Sequence, residues 1–251
     1  MQAEFLTRKE MLTVMLQCET PETAIGRIRN ANHLGADAYG LQVESLKPEY
    51  QNPAVYKKIF SEGKGRPFYV TNYRSKHNSG KTDEEIAEGL VTLAESGAVL
   101  CDVIGDMFCK HPEELTDDEA AIQKQTALID KLHGMGAQVL MSSHLHKYVP
   151  AERVLEIAFE QKRRGADIIK IVTDAADMQE QLENMKTIDL LKRELGAPFL
   201  FLCGGECSLM RRLGIHLGCS LALCVYEHDA LSTPGQPLLS VMKKIRDEIV
   251  F

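Results

Sequence analysis

The chain lacks several features that would assign it to a specialised class of protein. Its 251 residues contain no apolar run long enough to span a membrane, and its first five residues (MQAEF) do not resemble a signal peptide. It also lacks an excess of positive charge: 29 lysines and arginines are outnumbered by 36 aspartates and glutamates, which gives a net charge of −7. That sign argues against nucleic-acid binding and is typical of a soluble metabolic protein.

The cysteines do not form an even set from which a disulfide framework could be built. There are seven, and most lie inside apolar runs. This placement predicts reduced thiols in the core of a cytoplasmic protein. Cys203 and Cys207 have a spacing that metal ligands use, but no second Cys/His pair matches it. We therefore expect no structural metal.

A Gly-Ala pair precedes an apolar, strand-like run at five places. The pairs begin at Gly35, Gly97, Gly136, Gly165 and Gly196, and each follows a segment with helical periodicity. Glycine is preferred just after a helix because it readily adopts the left-handed backbone conformation that ends many helices. The spacings of about 30 to 40 residues, with one doubled interval, predict repeated strand–helix units.

Completing this repeat gives eight strands separated by helices. The predicted strands are 11–18, 37–44, 66–73, 98–105, 137–144, 166–173, 198–204 and 219–226. Helix starts are predicted at Thr20-Pro21, Thr82-Asp83 and Pro150-Ala151, and a last helix from about Gln236 to the C-terminus. Eight units without a linker predict one (β/α)8 barrel domain over residues 1–251. The alternative is an open doubly wound sheet, but no glycine-rich phosphate loop follows the first strand.

One charged side chain interrupts the otherwise apolar strand predicted at residues 166–173 (ADIIKIVT). Alternation places Lys170 on the same face as Ile168 and Val172. An ammonium group there must find a partner, line a wet cavity, or lower its pKa and become an amine. Lys170 is therefore either a strand-end lysine that reaches solvent or a buried amine nucleophile of the Schiff-base type.

In a (β/α)8 barrel the active site lies at the C-terminal ends of the strands. The polar residues predicted there are Gln42, Glu44, Arg74, His77, Asn78, Asp102, Asp106, His144, His146, Lys170, Asp174, Glu206, Arg211 and the loop 232–236. His144 ends the strand next to the one that carries Lys170. A histidine beside an internal lysine favours amine catalysis over the solvent-reaching alternative.

Four segments, in order and in register, resemble the type I 3-dehydroquinate dehydratase (type I dehydroquinase) family. Residues 142–150 (SSHLHKYVP) are similar to its Ser-x-His-Asp-Phe-x-x-Thr-Pro segment, and 166–171 (ADIIKI) to its Ala-Asp-(apolar)2-Lys-(apolar) strand. Residues 211–219 (RRLGIHLGC) resemble its Ser-Arg-x-x-Gly-x-x-x-Gly-Ser turn, and 234–236 (PGQ) match the Pro-Gly-Gln of its last loop. The resemblance runs from about residue 10 to the end of the chain.

The resemblance implies a dehydratase that forms a covalent imine and needs no cofactor or metal. Lys170 would attack the ring ketone of 3-dehydroquinate. His144 would assist imine formation, remove the α-proton and protonate the departing hydroxyl, giving 3-dehydroshikimate. Such an enzyme would act on a small carboxylated hydroxyketone in the shikimate pathway of aromatic amino acid biosynthesis. We expect it in the cytoplasm, as a homodimer without nucleic-acid or membrane partners.

The resemblance also implies the substrate-binding residues. Arg211 would clamp the substrate carboxylate, Ser232 and Gln236 would close over the substrate, and Arg74 matches the family's arginine after the third strand. Structural roles are the alternative for each: a helix cap or salt bridge for Arg211, a helix N-terminal position for Gln236, and a solvated loop for Arg74. The segment 74–81 around Arg74 is also a candidate lid.

The histidines at the end of the fifth predicted strand have alternative roles as well. For His144 the alternative is a core histidine bonded to the backbone. His144 and His146 together form a His-x-His pair of the kind that binds zinc in barrel hydrolases, although a pocket wall is the favoured role for His146.

Part of the family's recognition set is absent. Where the family has Glu-x-Arg-x-Asp on its second strand, this chain has Gly40, Gln42 and Glu44. Where the family has the glutamate that orients the catalytic histidine, this chain has Asn78. The covalent machinery is thus retained while half of the recognition set is not. Two alternatives follow: a Schiff-base lyase for a different hydroxyketone or keto-sugar acid, and a barrel that binds a small acidic metabolite without turnover.

Overall fold

Strands and helices alternate along the chain in the computed structural model, which describes residues 4–8 and 10–249. The strands are β1 (Met11–Leu16), β2 (Ala38–Gln42), β3 (Phe68–Thr71), β4 (Leu100–Ile104), β5 (Gln138–His144), β6 (Ile168–Ala175), β7 (Phe199–Gly205) and β8 (Leu221–Cys224). The helices are α1 (Glu4–Thr7), α2 (Pro21–Leu34), α3 (Pro53–Ser61), α4 (Asp83–Glu95), α5 (Glu119–Gly134), α6 (Ala151–Arg163), α7 (Met178–Glu194), α8 (Met210–Leu217) and α9 (Leu239–Glu248). Within these described ranges, no helix has both the length and the apolar character needed to cross a membrane.

The eight strands form one parallel sheet that curls into a nearly closed barrel. Their order is β7-β6-β5-β4-β3-β2-β1-β8, so β1 pairs with both β2 and β8. At the seam, the Ser220 N–H donates to the Phe199 carbonyl at 2.9 Å and so links the start of β8 to β7. The predicted (β/α)8 barrel is confirmed, and the open doubly wound sheet is excluded. Every predicted strand is present, with ends within two residues of the predicted ones.

The five glycines of the Gly-Ala pairs end helices as predicted. Gly35, Gly97, Gly136, Gly165 and Gly196 have φ angles of 84°, 114°, 81°, 100° and 58°. In this left-handed region a side chain would be strained, and the following N–H can turn back to the last helical turn. After Gly97, for example, the Ala98 N–H donates to the Leu93 carbonyl at 3.0 Å. These turns direct each chain segment from a helix into the next strand.

The helix starts follow the predicted capping residues, with one correction. Thr20 caps α2, and Thr82 and Glu85 form the capping box of α4. The last helix was predicted from about Gln236, but α9 begins at Leu239. The reason is that Leu238 forms an extended bridge with Val225, next to the end of β8, before the helix starts. Its predicted end at the C-terminus involves residues 250–251, which lie outside the described residues.

The loop from β4 to α5 is held in place by one buried arginine. Arg164, 3% exposed, donates to the carbonyls of Gly105 and Thr116 at 3.1 and 2.5 Å. It also donates to the side chains of Gln125 at 2.9 Å and Glu160 at 2.7 Å. A buried guanidinium with four acceptors ties both ends of the loop to the helical layer.

We expect Arg164→Met to lower the free energy of unfolding by about 3 kcal/mol, because four hydrogen bonds of a buried charge are lost. Arg163→Met is the matched control: Arg163 binds the same Glu160, but its side chain is 64% exposed. An exposed pair of this kind contributes roughly 0–1 kcal/mol. Urea unfolding of both variants measures the difference, and equal midpoints would contradict the anchoring role of Arg164.

Candidate active site

A cavity of about 80 Å³ opens at the C-terminal end of the barrel. Its apolar wall consists of Met15, Val172, Leu202 and Leu223, and its polar side chains are Gln42, Tyr69, Thr71, Tyr73, His144, Lys170, Arg211, Thr233 and Gln236. Lys170, His144, Arg211 and Gln236 were predicted from the sequence, and the structure brings these four together. A wider pocket of about 550 Å³ lies beside this cavity and shares Tyr73 and His144 with it.

The Lys170 ammonium group is surrounded by polar partners. Its Nζ donates to Asp102 Oδ2 at 3.0 Å, to the Tyr73 hydroxyl at 2.8 Å and to the Tyr69 hydroxyl at 3.1 Å. The side chain is only 5% exposed, so these groups replace water around the charge. Lys170 has therefore found partners, the first of the possibilities considered for it, because β3 and β4 direct Tyr69 and Asp102 into the barrel. The alternative of a lysine that reaches solvent does not describe Lys170.

Asp102 is the anion that balances this charge. Burial alone would raise the pKa of Asp102, but the charge of Lys170 and hydrogen bonds from Ser142, Tyr69 and Tyr73 outweigh burial and lower it. Ser142 and Tyr73 each donate to the carboxylate at 2.5 Å, and Tyr69 donates to it as well. Burial and the Asp102 charge raise the pKa of both tyrosines, so both remain phenols that can donate.

His144 is oriented by a carboxylate that no sequence motif indicated. Its Nδ1 lies 2.7 Å from Glu114 Oε2, which also accepts the His144 backbone N–H at 2.9 Å. Burial opposes ionisation of Glu114, yet the bonds to His144 lower its pKa overall. Because a carboxylate only accepts hydrogen bonds, Nδ1 carries the proton and Nε2 is left as the basic nitrogen.

Glu114 belongs to the β4–α5 loop and has a φ of 43°. The sequence comparison placed the histidine-orienting position at Asn78, which led to the expectation that this function was absent. Asn78 is instead fully buried and donates to Asn72 Oδ1 at 2.7 Å. The carboxylate beside His144 comes from the β4–α5 loop, so a position-by-position comparison with the family pattern could not find it.

Arg74 lies in the wider pocket and is engaged by two aspartates. It bonds Asp83 at 2.5 and 2.8 Å and Asp106 at 2.7 Å. Burial opposes its charge, but these carboxylates raise the pKa of Arg74. It is therefore not a solvated loop residue. The segment 74–81 is also tied down elsewhere, because Lys76 donates to Ser45 at 2.8 Å and Lys81 to Gln51 at 2.6 Å.

Arg211 and the β8–α9 loop close the other side of the cavity. The Arg211 Nε is buried without a hydrogen-bond partner among the described residues. Gln17 binds both Thr233, at 2.6 Å, and Gln236, at 3.4 Å, and so fixes the loop over the cavity. Ser232 does not line the cavity: its hydroxyl bonds Asp229 at 2.9 Å. Its neighbour Thr233, which belongs to the predicted loop 232–236, lines the cavity instead.

The wall formed by β1 and β2 carries little charge. A Cβ added at Gly40 would lie 2.2 Å from the Met15 sulfur and 3.0 Å from Tyr69 Cδ1. Met15 thus occupies the room that a side chain at position 40 would need. Gln42, on the same strand, lines the cavity with a neutral amide.

The remaining candidates lie outside the cavity lining. Glu44 is buried and accepts the Thr71 hydroxyl at 3.0 Å, and burial raises the pKa of Glu44. His77 and Glu206 are exposed. His146 stacks on His144 with ring centroids 6.3 Å apart and lines the wider pocket. In the described part of the chain, no three His, Cys, Asp or Glu side chains are grouped so that they could hold a metal ion.

Comparison with known proteins gives consistent results. A family model described as Type I 3-dehydroquinase matches residues 12–249. The 3-dehydroquinate dehydratase of Klebsiella pneumoniae subsp. pneumoniae is 27% identical over 251 residues, a match that covers 97% of this chain and 94% of that enzyme.

Solved structures share the fold. The 3-dehydroquinate dehydratase of Geobacillus kaustophilus superposes with a TM-score of 0.78 at 16% identity, covering 95% of this chain and 90% of that one. The type I 3-dehydroquinate dehydratase of Clostridium difficile, solved with covalently modified comenic acid, gives 0.79 at 15% identity, covering 96% and 92%. At these low sequence identities, the structural similarity establishes only that the barrel fold is shared.

We expect Asp102→Asn to lower the free energy of unfolding by about 3 kcal/mol at pH 7, because it leaves a buried ammonium without its counter-charge. The double variant Asp102→Asn/Lys170→Met should be more stable than Asp102→Asn alone, since it removes that charge. The pKa of Asp102 in the folded protein lies below its usual 3.8. Its contribution to the free energy of unfolding is therefore complete above pH 3.8 and is lost as the pH falls through the lower folded pKa. Urea midpoints measure both effects, and a double variant no more stable than the single one would contradict the pairing.

Proposed function

Since the chain belongs to the type I 3-dehydroquinase family, we propose that it removes water from 3-dehydroquinate, giving 3-dehydroshikimate, through a covalent imine at Lys170. Its reaction class is that of a carbon–oxygen hydro-lyase. The observation that carries the proposal is the meeting of Lys170, His144 and Arg211 in one cavity at the C-terminal end of the barrel. An amine, a base and a fixed cation are the groups that this reaction needs on a carboxylated hydroxyketone.

The covalent route divides the reaction into steps that side chains can assist. The free amine of Lys170 attacks the ketone carbon, a C–N bond forms, and the ketone oxygen leaves as water to give an iminium ion. This ion draws electrons from the adjacent C–H bond, whose proton passes to His144, and an enamine results. The enamine expels the β-hydroxyl, which leaves as water with a proton from His144, and hydrolysis of the new iminium then frees Lys170.

The assignment of His144 as the acid and base is supported by its pairing with Glu114. The carboxylate holds Nδ1 at 2.7 Å, which fixes the ring and leaves Nε2 to exchange protons in the cavity. When His144 takes the proton from carbon, the imidazolium forms beside an anion and is stabilised by it. This pair also removes the reason for expecting a barrel without turnover, which was the missing histidine-orienting glutamate.

Arg211 is proposed to bind the substrate carboxylate. Its Nε has no partner among the described residues, and it lines the cavity together with Gln236. A buried cation with a free donor suits a planar carboxylate. Arg74 is bound by Asp83 and Asp106, and the Ser232 hydroxyl is bound by Asp229. Direct substrate contacts by Arg74 and Ser232 therefore stay predictions.

The two pockets together suggest how a ring substrate would be placed. A cavity of about 80 Å³ has room for roughly two or three water molecules, well below the ~300 Å³ of small-molecule sites. We therefore place the reacting edge of the ring at Lys170 and extend the substrate past Tyr73 and His144 into the wider pocket. The route uses no cofactor. A homodimer and a cytoplasmic location remain predictions.

A second candidate is the same chemistry on a different hydroxyketone or keto-sugar acid. It is favoured by the β1–β2 wall, where Met15 fills the room beside Gly40 and Gln42 offers an amide instead of a charge. A substrate with fewer charged or hydroxyl groups on that side would fit this wall without leaving polar groups unpaired.

Borohydride reduction tests the covalent route. The wild-type protein incubated with 3-dehydroquinate and reduced should gain the mass of one reduced adduct, and Lys170→Ala should gain none. Lys147→Ala, which removes an exposed lysine of the loop after β5, is the control and should still form the adduct.

An adduct that persists in Lys170→Ala would contradict the role of Lys170. A wild-type protein that forms an adduct only with another hydroxyketone acid would establish the second candidate.

We expect Glu114→Gln to lower kcat about 10- to 100-fold with little change in KM, because the orientation and charge support of His144 are lost while the binding groups remain. Glu113→Gln is the control, since that neighbour bonds Arg153 at 2.7 Å outside the cavity. The rates can be followed by the ultraviolet absorbance of the conjugated product. Equal losses in the two variants would indicate a general effect of the loop instead of an effect on His144.

A further inference from the structure

The groups that contact the reactive nitrogen are different from the histidine proposed above as the acid and base. The hydrogen bonds of Lys170 Nζ go to Tyr73, Tyr69 and Asp102, at 2.8 to 3.1 Å. A lysine held in this way is an ammonium ion, which has no electron pair with which to attack a ketone. It must lose protons before and during imine formation, and the groups beside it are the nearest acceptors.

Of the two phenols, Tyr73 is the one placed to reach a substrate. Tyr69 lies within β3 and is fully buried. Tyr73 lies two residues beyond that strand, is partly exposed, and lines both the cavity and the wider pocket. Its ring meets the His144 ring edge-on with centroids 5.5 Å apart, so it stands between the amine and the histidine side of the site.

The Tyr73 hydroxyl forms hydrogen bonds with both members of the Lys170–Asp102 ion pair. It donates to Asp102 Oδ2 at 2.5 Å while it accepts from Nζ at 2.8 Å. The other carboxylate oxygen, Oδ1, accepts from Ser142 at 2.5 Å, which holds Asp102 in place. The backbone N–H of Tyr73 is fixed by the buried Glu44 at 3.3 Å. Amine, phenol and carboxylate thus form a continuous hydrogen-bonded set.

We propose that Tyr73 and Asp102 form a proton relay at Lys170 Nζ that carries out imine formation, with Tyr73 as a catalytic residue, and that His144 and Glu114 serve the carbon–hydrogen and hydroxyl-leaving steps. This inference rests on the proposed function. It assigns proton transfer at nitrogen to one pair of residues and proton transfer at carbon to the other. The low pKa of Asp102 and the raised pKa of Tyr73 are consistent with a relay that returns to the same protonation state.

The protons and charges balance. Lys170 gives one proton to Asp102, and its free electron pair forms the C–N bond while the carbonyl π electrons move to oxygen. Tyr73 protonates that oxygen and regains a proton from the attacking nitrogen, which leaves a carbinolamine. Tyr73 then protonates the hydroxyl and is restored by the proton held on Asp102, the C–O bond breaks, and water leaves as the nitrogen pair forms the C=N bond.

The net change is therefore local. Two of the three ammonium protons leave in the water molecule and one stays on the iminium nitrogen. Asp102 begins and ends as a carboxylate, and it faces a cation at the same place before and after the reaction. The ion pair is conserved, so no uncompensated charge is left in the barrel interior.

The test is a quenched-flow time course of adduct formation with 3-dehydroquinate, with borohydride as the quench and mass as the readout. Tyr73→Phe keeps the ring and should slow adduct formation about 100-fold. The control is Tyr39→Phe, which removes a buried phenol bonded to Asn32 at 2.7 Å, on a strand away from Lys170, and should leave the rate unchanged. His144→Gln should form its adduct at close to the wild-type rate, and that adduct should stay heavier by one water because dehydration is blocked.

Two results would overturn the relay: adduct formation in Tyr73→Phe at the wild-type rate, or an equal slowing in His144→Gln. The wild-type protein gives a further test, because its rate of adduct formation should fall in D2O. An unchanged rate would also exclude rate-limiting proton transfer through the relay. A wild-type protein that forms no adduct at all would instead refute the proposed function, so the two failures are distinguishable.

Discussion

The ion pair between Lys170 and Asp102 is the interaction on which the site depends. Neither charge could remain alone inside the barrel, because each loses its hydration there. Tyr69, Tyr73 and Ser142 supply the remaining hydrogen bonds to the carboxylate and so complete the replacement of water. The apolar barrel interior thus holds an internally neutralised polar cluster, and the cavity at the C-terminal end of the barrel is bordered by its members Lys170, Tyr69 and Tyr73.

A second layer of support comes from the loops around that cluster. Glu114 reaches His144 from the β4–α5 loop, and Arg164 bonds the Gly105 and Thr116 carbonyls near the two ends of that loop. On the opposite side, Gln17 holds Thr233 and Gln236 in place. The strands therefore supply the amine and its counter-ion, while the buried side chains of Arg164, just after α6, and Gln17, just after β1, fix the loops.

Much of the fold follows from local pattern. The Gly-Ala pairs end helices because glycine accepts a positive φ, and the apolar runs after them become buried parallel strands, so the barrel and the places of Lys170 and His144 can be predicted from sequence. Asp102 and Arg211 are candidates for the same reason, since the predicted units place Asp102 on the fourth strand and Arg211 after the seventh. The partners of these residues were harder to identify. Glu114 contacts His144 from the β4–α5 loop, and Tyr73 contacts Lys170 Nζ from just after β3, which β4 and β5 separate from β6. Spacing along the chain does not reveal either contact.

The packing of Met15 over Gly40 means that the side chains possible at one position depend on the residue at the other. A side chain at 40 would meet the Met15 sulfur and the Tyr69 ring, and the cavity beside them has little free volume. A larger side chain at 40 therefore requires the sulfur end of Met15 to move, and a smaller residue at 15 would leave a void while 40 is glycine. The two positions are therefore coupled through packing. The shape of the strand-2 wall thus depends on two neighbouring positions in the barrel and not on residue 40 alone.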